Sequence, residues 1–128
     1  MNVHNIISSV AYNMLEVTKD TILFDVRTNV EWQESGIPKL EQAKVILLSW
    51  RLLPNMALNT EFQSQFTTQI IDKKHNIFFI CRAGVRSFEA AKFVSTLGYE
   101  SCYNIIDGFE GNSYGIRWKQ SNLPWQIY

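Results

Sequence analysis

Residues 81 to 87, Cys-Arg-Ala-Gly-Val-Arg-Ser, gather a nucleophile, two cations, a glycine and a hydroxyl within a few residues. The apolar run Asn-Ile-Phe-Phe-Ile leads into Cys81, and Phe-Glu-Ala-Ala follows Ser87, so the segment reads as strand, tight loop and helix. Such a loop can turn its backbone N–H groups inward as a nest for an anion. Gly84 permits a positive φ that other residues adopt only with strain. The start of the helix adds a partial positive charge and unpaired donors. Together these surroundings favour a thiolate at Cys81. Arg82 and Arg86 can attract an incoming oxyanion, while Ser87 is the expected N-cap, with a hydroxyl able to face the sulfur. Each feature alone has a bland explanation. A cysteine ending an apolar strand is a small buried hydrophobe, a glycine is a turn residue, and two arginines are solvated charges. Their conjunction in one strand-to-helix turn points to nucleophilic sulfur chemistry.

The surrounding chain must place that turn. Residues 8–20 read as a helix capped by Ser8 or Ser9, with Val10, Met14 and Val17 on one face. Thr21–Val26 is a short apolar strand, and Thr28–Ser35 a brief helix stopped by Gly36 and Pro38. A second strand covers 43–49. An irregular stretch broken by Pro54 follows, then a helix over 59–71 with Asn59 as cap and Phe62, Phe66 and Ile70 inward. A third strand runs into Cys81, a helix from Ser87 ends at Gly98, and a fourth strand spans 101–106. The tail from Asp107 is expected to hold a short helix. Strands that are near-continuous apolar runs, alternating with helices, predict an α/β fold with a mostly parallel sheet covered on both faces. Sites in such sheets lie beyond the carboxyl ends of strands, where Cys81 falls.

The chain has 128 residues, 46% hydrophobic and 13% aromatic, which predicts one globular domain over 1–128 that needs no staple. Twelve basic and twelve acidic residues cancel, so no global field recruits nucleic acid or an anionic membrane. The first residues lack the basic start and apolar core of a secretion signal, and no apolar run approaches the ~20 residues that span a bilayer. A reducing, cytoplasmic setting is therefore expected, with Cys81 and Cys102 as free thiols. The two cysteines, His4 and His75 show no paired ligand spacing, so no metal and no cofactor is expected.

The loop 81–87 resembles the active-site loop of the rhodaneses, a sulfurtransferase family. Leu23 to Pro38 resembles their early signature: aspartate–valine–arginine after a strand, then glutamate and an aromatic, then isoleucine–proline. Tyr103–Gly111, with Trp118 and Leu123-Pro124-Trp125 beyond it, resembles their closing segment. The likeness runs in order over nearly the whole chain. The chain departs from the pattern at Ser35-Gly36, where glycine–histidine is common, at residues 39–43 before the second strand, and in extra residues 112–117 before Trp118.

The resemblance implies a three-layer rhodanese-like domain and a persulfide mechanism. Cys81 takes the outer sulfur of thiosulfate or a similar donor, and a thiol, cyanide or a protein acceptor then removes it. It also implies that the segment Arg82, Ala83, Gly84, Val85, Arg86 and Ser87 binds substrate, with Arg82 or Arg86 on the sulfonate. Two other classes stay open: a cysteine-dependent phosphatase or arsenate reductase, and a noncatalytic partner-binding module. Against the phosphatase, only four residues separate Cys81 from Arg86, whereas tyrosine phosphatase loops have five, and a tighter ring suits one sulfur better than three equatorial oxygens. Outside the loop, Asp25 and Arg27 read as structural, with Arg27 expected on Glu31. Cys102 reads as packing, with a resolving role as its alternative. Trp50 and Arg51 are candidates for the pocket wall, with Trp50 equally a candidate for the core, and Trp118 and Trp125 for anchoring the tail.

Overall fold

The computed structural model describes residues 2–111 and 117–128. The elements are β1 (Val3–Ile6), α1 (Ser8–Val17), β2 (Thr21–Asp25), α2 (Asn29–Ser35), β3 (Ile37–Pro38), β4 (Lys44–Leu47), β5 (Arg51–Leu52), β6 (Ala57–Leu58), α3 (Phe62–Gln69), β7 (Asn76–Ile80), α4 (Val85–Thr96), β8 (Ser101–Ile105) and β9 (Trp125–Gln126). Five strands form one parallel sheet in the order β1-β8-β7-β2-β4, with β7 at its centre.

Alternation along the strands divides the interior into two layers. Ile22 and Phe24 of β2 and Ile77 and Phe79 of β7 face Phe62 and Phe66 of α3 and Ala90, Ala91 and Val94 of α4. Leu23, Phe78 and Ile80 face the other way, onto Ala11 and Leu15 of α1 and onto Phe109 and Trp118. Both faces of the sheet are thus covered, which is why the strands read as unbroken apolar runs. Cys81 belongs to the first layer, continuing the Ile77–Phe79 face one step past the end of β7.

Several expectations change. The buried face of α1 is Ser8, Ala11 and Leu15, while Val10 and Val17 are exposed, so tertiary packing overrides the face suggested by residue type. Neither serine caps α1 by its own side chain; Asp107, distant in sequence, accepts from the N–H and Oγ of Ser8 at 2.8 and 2.7 Å. The strand β1 was not foreseen, because Val-His-Asn-Ile at a sheet edge lacks an apolar run. The irregular stretch around Pro54 contains the small hairpin β5–β6. Among the described residues the tail holds turns and β9, paired with β3, and no helix. Residues 112–116 of the extra tail segment lie outside the described ones.

Candidate active site

The loop between β7 and α4 is built around the sulfur of Cys81. Gly84 adopts φ 97°, a left-handed conformation that turns the chain directly into α4 at Val85. A Cβ at Gly84 would lie 2.3 Å from the Ile106 carbonyl oxygen, so both the angle and the space demand glycine. Gly108 makes the reciprocal approach, with its missing Cβ 2.3 Å from the Arg82 carbonyl oxygen. The loop after β8 therefore clasps the loop after β7. Phe109 and Glu110 complete the clasp by donating their N–H groups to the carbonyls of Cys81 and Arg82 at 2.9 and 3.0 Å.

Because α4 starts at Val85, Ser87 is its third residue and not its N-cap. Its backbone N–H is one of the orphan donors of the first turn. Cys81 Sγ accepts that N–H at 3.3 Å and the Gly84 N–H at 3.1 Å, so the sulfur occupies the place of a capping side chain. The Ser87 hydroxyl lies 3.2 Å from Sγ, as its position in the sequence suggested. Two backbone N–H donors and the Ser87 hydroxyl thus meet at one sulfur that is 1% exposed; the hydroxyl proton goes to Asn104 Oδ1, so the charge of an anionic sulfur there would be met by the two fixed N–H groups.

Asn104 of β8 escaped the sequence reading. It is buried, accepts from Ser87 Oγ at 2.5 Å, and donates to the Gly84 carbonyl and to Asn5 Oδ1 at 3.2 and 3.0 Å. It ties the middle of the loop and its helical end to the sheet. An asparagine inside a predicted apolar strand is the only local signal that marks it.

The arginines are arranged differently from expectation. Arg27 does not reach Glu31. It folds back onto Asp25, two residues earlier and on the same side of the chain, at 2.7 Å, and donates to the Gly36 carbonyl at 2.8 Å. Its guanidinium lies 4.2 Å from the centre of the Phe109 ring. Both members of the pair are fully buried, which agrees with a structural role. Glu31 completes a capping box with Thr28 and holds Arg86 through two bonds of 2.7 and 2.9 Å. Burial pushes the Glu31 carboxyl up, but hydrogen bonds from Arg86 and Thr28 outweigh it and bring its pKa down to about 2. The Arg86 pKa is correspondingly raised, first by its bond to Glu31 and against the effect of burial. Arg82 is exposed and meets Glu110 at 3.2 Å.

Ala83, Gly84 and Val85 also wall a groove of about 490 Å³, together with Phe88, Asn104 and Ile106. Trp50 and Arg51 are not in that wall. Trp50 packs against Phe62 and Phe93 and donates to Glu89 at 2.9 Å, and Arg51 meets Glu89 at 3.6 Å. Cys102 is fully buried in the first core layer, and desolvation pushes its thiol up to about 12. Both cysteines are free. Trp118 is buried against Tyr12, its Nε1 donating to Pro124, whereas Trp125 is partly exposed and sits in the small β3–β9 sheet. Only the first anchors the tail to the main sheet.

The rhodanese-like domain model matches residues 9–113, most of the chain. The chain belongs to the rhodanese-like domain family. An uncharacterized protein of Rickettsia conorii is 52% identical over 129 residues, covering 99% of this chain and all of that one. A sulfurtransferase of Allochromatium vinosum is 26% identical over 107 residues, covering 84% of this chain and 79% of its own. Among solved structures, a protein of M. tuberculosis superposes with a TM-score of 0.84 at 28% identity, covering both chains completely. These likenesses join this rhodanese-like chain to a superfamily that includes sulfurtransferases. Its mostly parallel sheet with helices is the fold of the solved rhodanese-like proteins. No helix of the described residues is long and apolar enough to cross a membrane.

Proposed function

We propose that this protein is a sulfurtransferase that moves sulfane sulfur through a persulfide on Cys81. The observation that carries the reading is the convergence of the Gly84 N–H, the Ser87 N–H and the Ser87 hydroxyl on Cys81 Sγ. A nucleophile held this way needs no adjacent base once ionised. With thiosulfate, the thiolate attacks the outer sulfur, the new Sγ–S bond forms, and sulfite leaves with the electrons of the broken S–S bond. Cys81 then carries a terminal sulfur anion, which the loop N–H groups hold. Cyanide removes that sulfur as thiocyanate, or a thiol removes it as a new persulfide, and the Cys81 thiolate returns. Arg82, Ala83, Gly84, Val85, Arg86 and Ser87 form the substrate-binding loop. A reducing cytoplasm suits the two free thiols, and a protein thiol is an acceptor of the right chemistry.

The test is the intact mass of the protein after exposure to a sulfane donor, with thiosulfate and a small organic persulfide used in parallel. Wild type should gain one sulfur, removable by cyanide, and Cys81→Ser should gain none. Sulfur turnover by Cys81→Ser, or no added sulfur from any donor, would contradict the mechanism. Hydrolysis of an aryl phosphate that vanishes in Cys81→Ser, without sulfur transfer, would favour the phosphatase reading instead.

A further inference from the structure

Three arginines stand around the Cys81 loop, and each is closed on a carboxylate. Arg27 lies with Asp25 at 2.7 Å, Arg86 with Glu31 at 2.7 Å and Arg82 with Glu110 at 3.2 Å. The pairs differ in hold. The Arg82 pair is in water and parts at little cost. The Arg27 pair is fully buried and offers no face to an incoming molecule. The Arg86 pair decides the matter, because it is a two-bonded fork with side chains only 15% and 21% exposed. Thr28 adds two further donors to the same Glu31 oxygen, at 3.0 and 3.1 Å. With its pKa brought down to about 2, Glu31 stays ionised at any working pH. Arg86 therefore carries its own counter-charge. A sulfonate arriving there must displace Glu31 or lie beside it, in a partly buried place where charges interact several times more strongly than in water. Lys119 reaches the same quarter of the molecule, 6.0 Å from the Phe109 ring centre, but its ammonium is held by the Ser35 carbonyl at 2.9 Å and lies over the Trp125 ring.

The groove on the other side of the loop has the opposite character. Its rim is apolar, with Val85 and Phe88 exposed to solvent at 68% and 38%; its two charged residues, Glu89 and Lys92, are opposite in sign, and Glu89 is also held by Trp50 and Arg51. It shares a wall with the sulfur: Gly84 lines it and donates to Sγ, and Asn104 lines it and holds the Ser87 hydroxyl. A donor reaching Cys81 over that rim would lay an apolar body in the groove.

We propose that the preferred donor is an organic persulfide with an apolar body, R–S–SH, and not the doubly charged thiosulfate, a proposal that rests on the Cys81 sulfur-transfer reading. The Cys81 thiolate attacks the outer sulfur, and the Sγ–S bond forms as the R–S–SH sulfur–sulfur bond breaks. The electron pair of that bond leaves on R–S⁻, which takes the proton of the transferred sulfur. Cys81 thiolate and R–S–SH thus become the Cys81 persulfide anion and R–SH, with no external oxidant or reductant. Glu31 acts as a specificity-determining residue by occupying the cation that a sulfonate would need.

The experiment compares thiosulfate, methyl persulfide and n-butyl persulfide, the last two generated in situ. Each kcat/KM is divided by the donor's uncatalysed rate with free cysteine at the same pH. Wild type should take n-butyl persulfide at least about tenfold better than thiosulfate on this scale, and better than methyl persulfide, since each buried methylene favours binding several-fold. Glu31→Gln keeps a capping side chain and frees Arg86, so normalised thiosulfate turnover should rise about tenfold while n-butyl persulfide moves less than about twofold. Phe88→Ser, at an exposed position, should shrink the n-butyl over methyl preference by about threefold. Equal use of thiosulfate and n-butyl persulfide by wild type overturns the donor class and leaves transfer through Cys81 standing. So does a Glu31→Gln variant in which both donors move together, or an unchanged chain-length preference in Phe88→Ser. Failure of every donor to load Cys81 overturns this proposal together with the reading beneath it.

Discussion

Cys81 and Cys102 belong to neighbouring parallel segments of the fold, one just past the end of β7 and one inside β8, and burial does not tell them apart: they are 1% and 0% exposed, and both are free. What differs is the backbone around each sulfur. Cys102 lies inside β8, paired in register with Ile77 on one side and Val3 on the other. There the ladder consumes the N–H groups, and among the described residues Sγ finds only the Tyr99 carbonyl at 3.7 Å, toward which its thiol donates. Cys81 lies one residue past the end of β7, where the chain turns into a helix whose first N–H groups have no helical partner. Two of those groups point at its sulfur. A strand interior neutralises a thiol, whereas a strand-to-helix turn supplies it with donors. On the proposed reading, what sets the nucleophile Cys81 apart from the packed Cys102 is unspent backbone donors, not exposure.

Breaking the turn should have the largest effect. Gly84→Ala forces a side chain into a left-handed backbone and against the Ile106 carbonyl, so the loop must move and lose its donors. We expect sulfur loading to fall by about 100-fold or more and stability by roughly 2–4 kcal/mol, read by intact mass and denaturant melting. Wild-type-like loading would mean that the donors are incidental. Ser87→Ala is subtler. It keeps the backbone N–H but leaves the buried Asn104 Oδ1 without its partner, at about 1–3 kcal/mol. With the loop's N–H groups less firmly placed once the Asn104 tie is lost, loading should slow by about tenfold, and an undiminished rate would assign Ser87 a role in stability alone.

Much of the loop was legible because its parts are contiguous: Cys81, Gly84 and Ser87 act within seven residues, and the positive φ at Gly84 follows from local stereochemistry. Alternating apolar strands and helices likewise gave the parallel sheet. What escaped depends on contacts distant in sequence. Nothing near Arg86 announces Glu31, 55 residues earlier, as its partner, and Arg27 was assigned to Glu31 because spacing was the only guide. Asn104 and Asp107 act on Ser87 and Ser8 across the sheet. The face of α1 was misjudged because valines at helical spacing look like core, while Ala11 and Leu15 do the packing. Helix α4 begins two residues before Ser87 because the sulfur, not a hydroxyl, fills the cap.

Smaller changes sharpen the same contrast. Glu31 has a folded pKa depressed to about 2 from the ordinary 4.5. Its contribution to stability is fully present above about pH 4.5 and is lost as the pH falls toward 2. Discounted for partial exposure, it amounts to about 1–2 kcal/mol. Glu31→Gln should therefore flatten the acid limb of the stability curve between pH 4.5 and pH 2, and an identical limb in both proteins would mean that the Arg86 bonds contribute nothing. The least change is expected from Cys102→Ala: a small cavity, about 1 kcal/mol of stability, and sulfur turnover within about twofold of wild type. A folded variant without turnover would bring back a resolving role for Cys102.

The most direct test of the difference between the two thiols is to find where the sulfur goes. The native protein is treated with a sulfane donor, quenched by alkylation, and digested so that the peptides carrying Cys81 and Cys102 are separated and weighed. The account predicts an added sulfur on Cys81 alone, lost on brief treatment with cyanide, with Cys102 unmodified until the protein is unfolded. Sulfur on Cys102 of the folded protein, or equal loading of both cysteines, would contradict it.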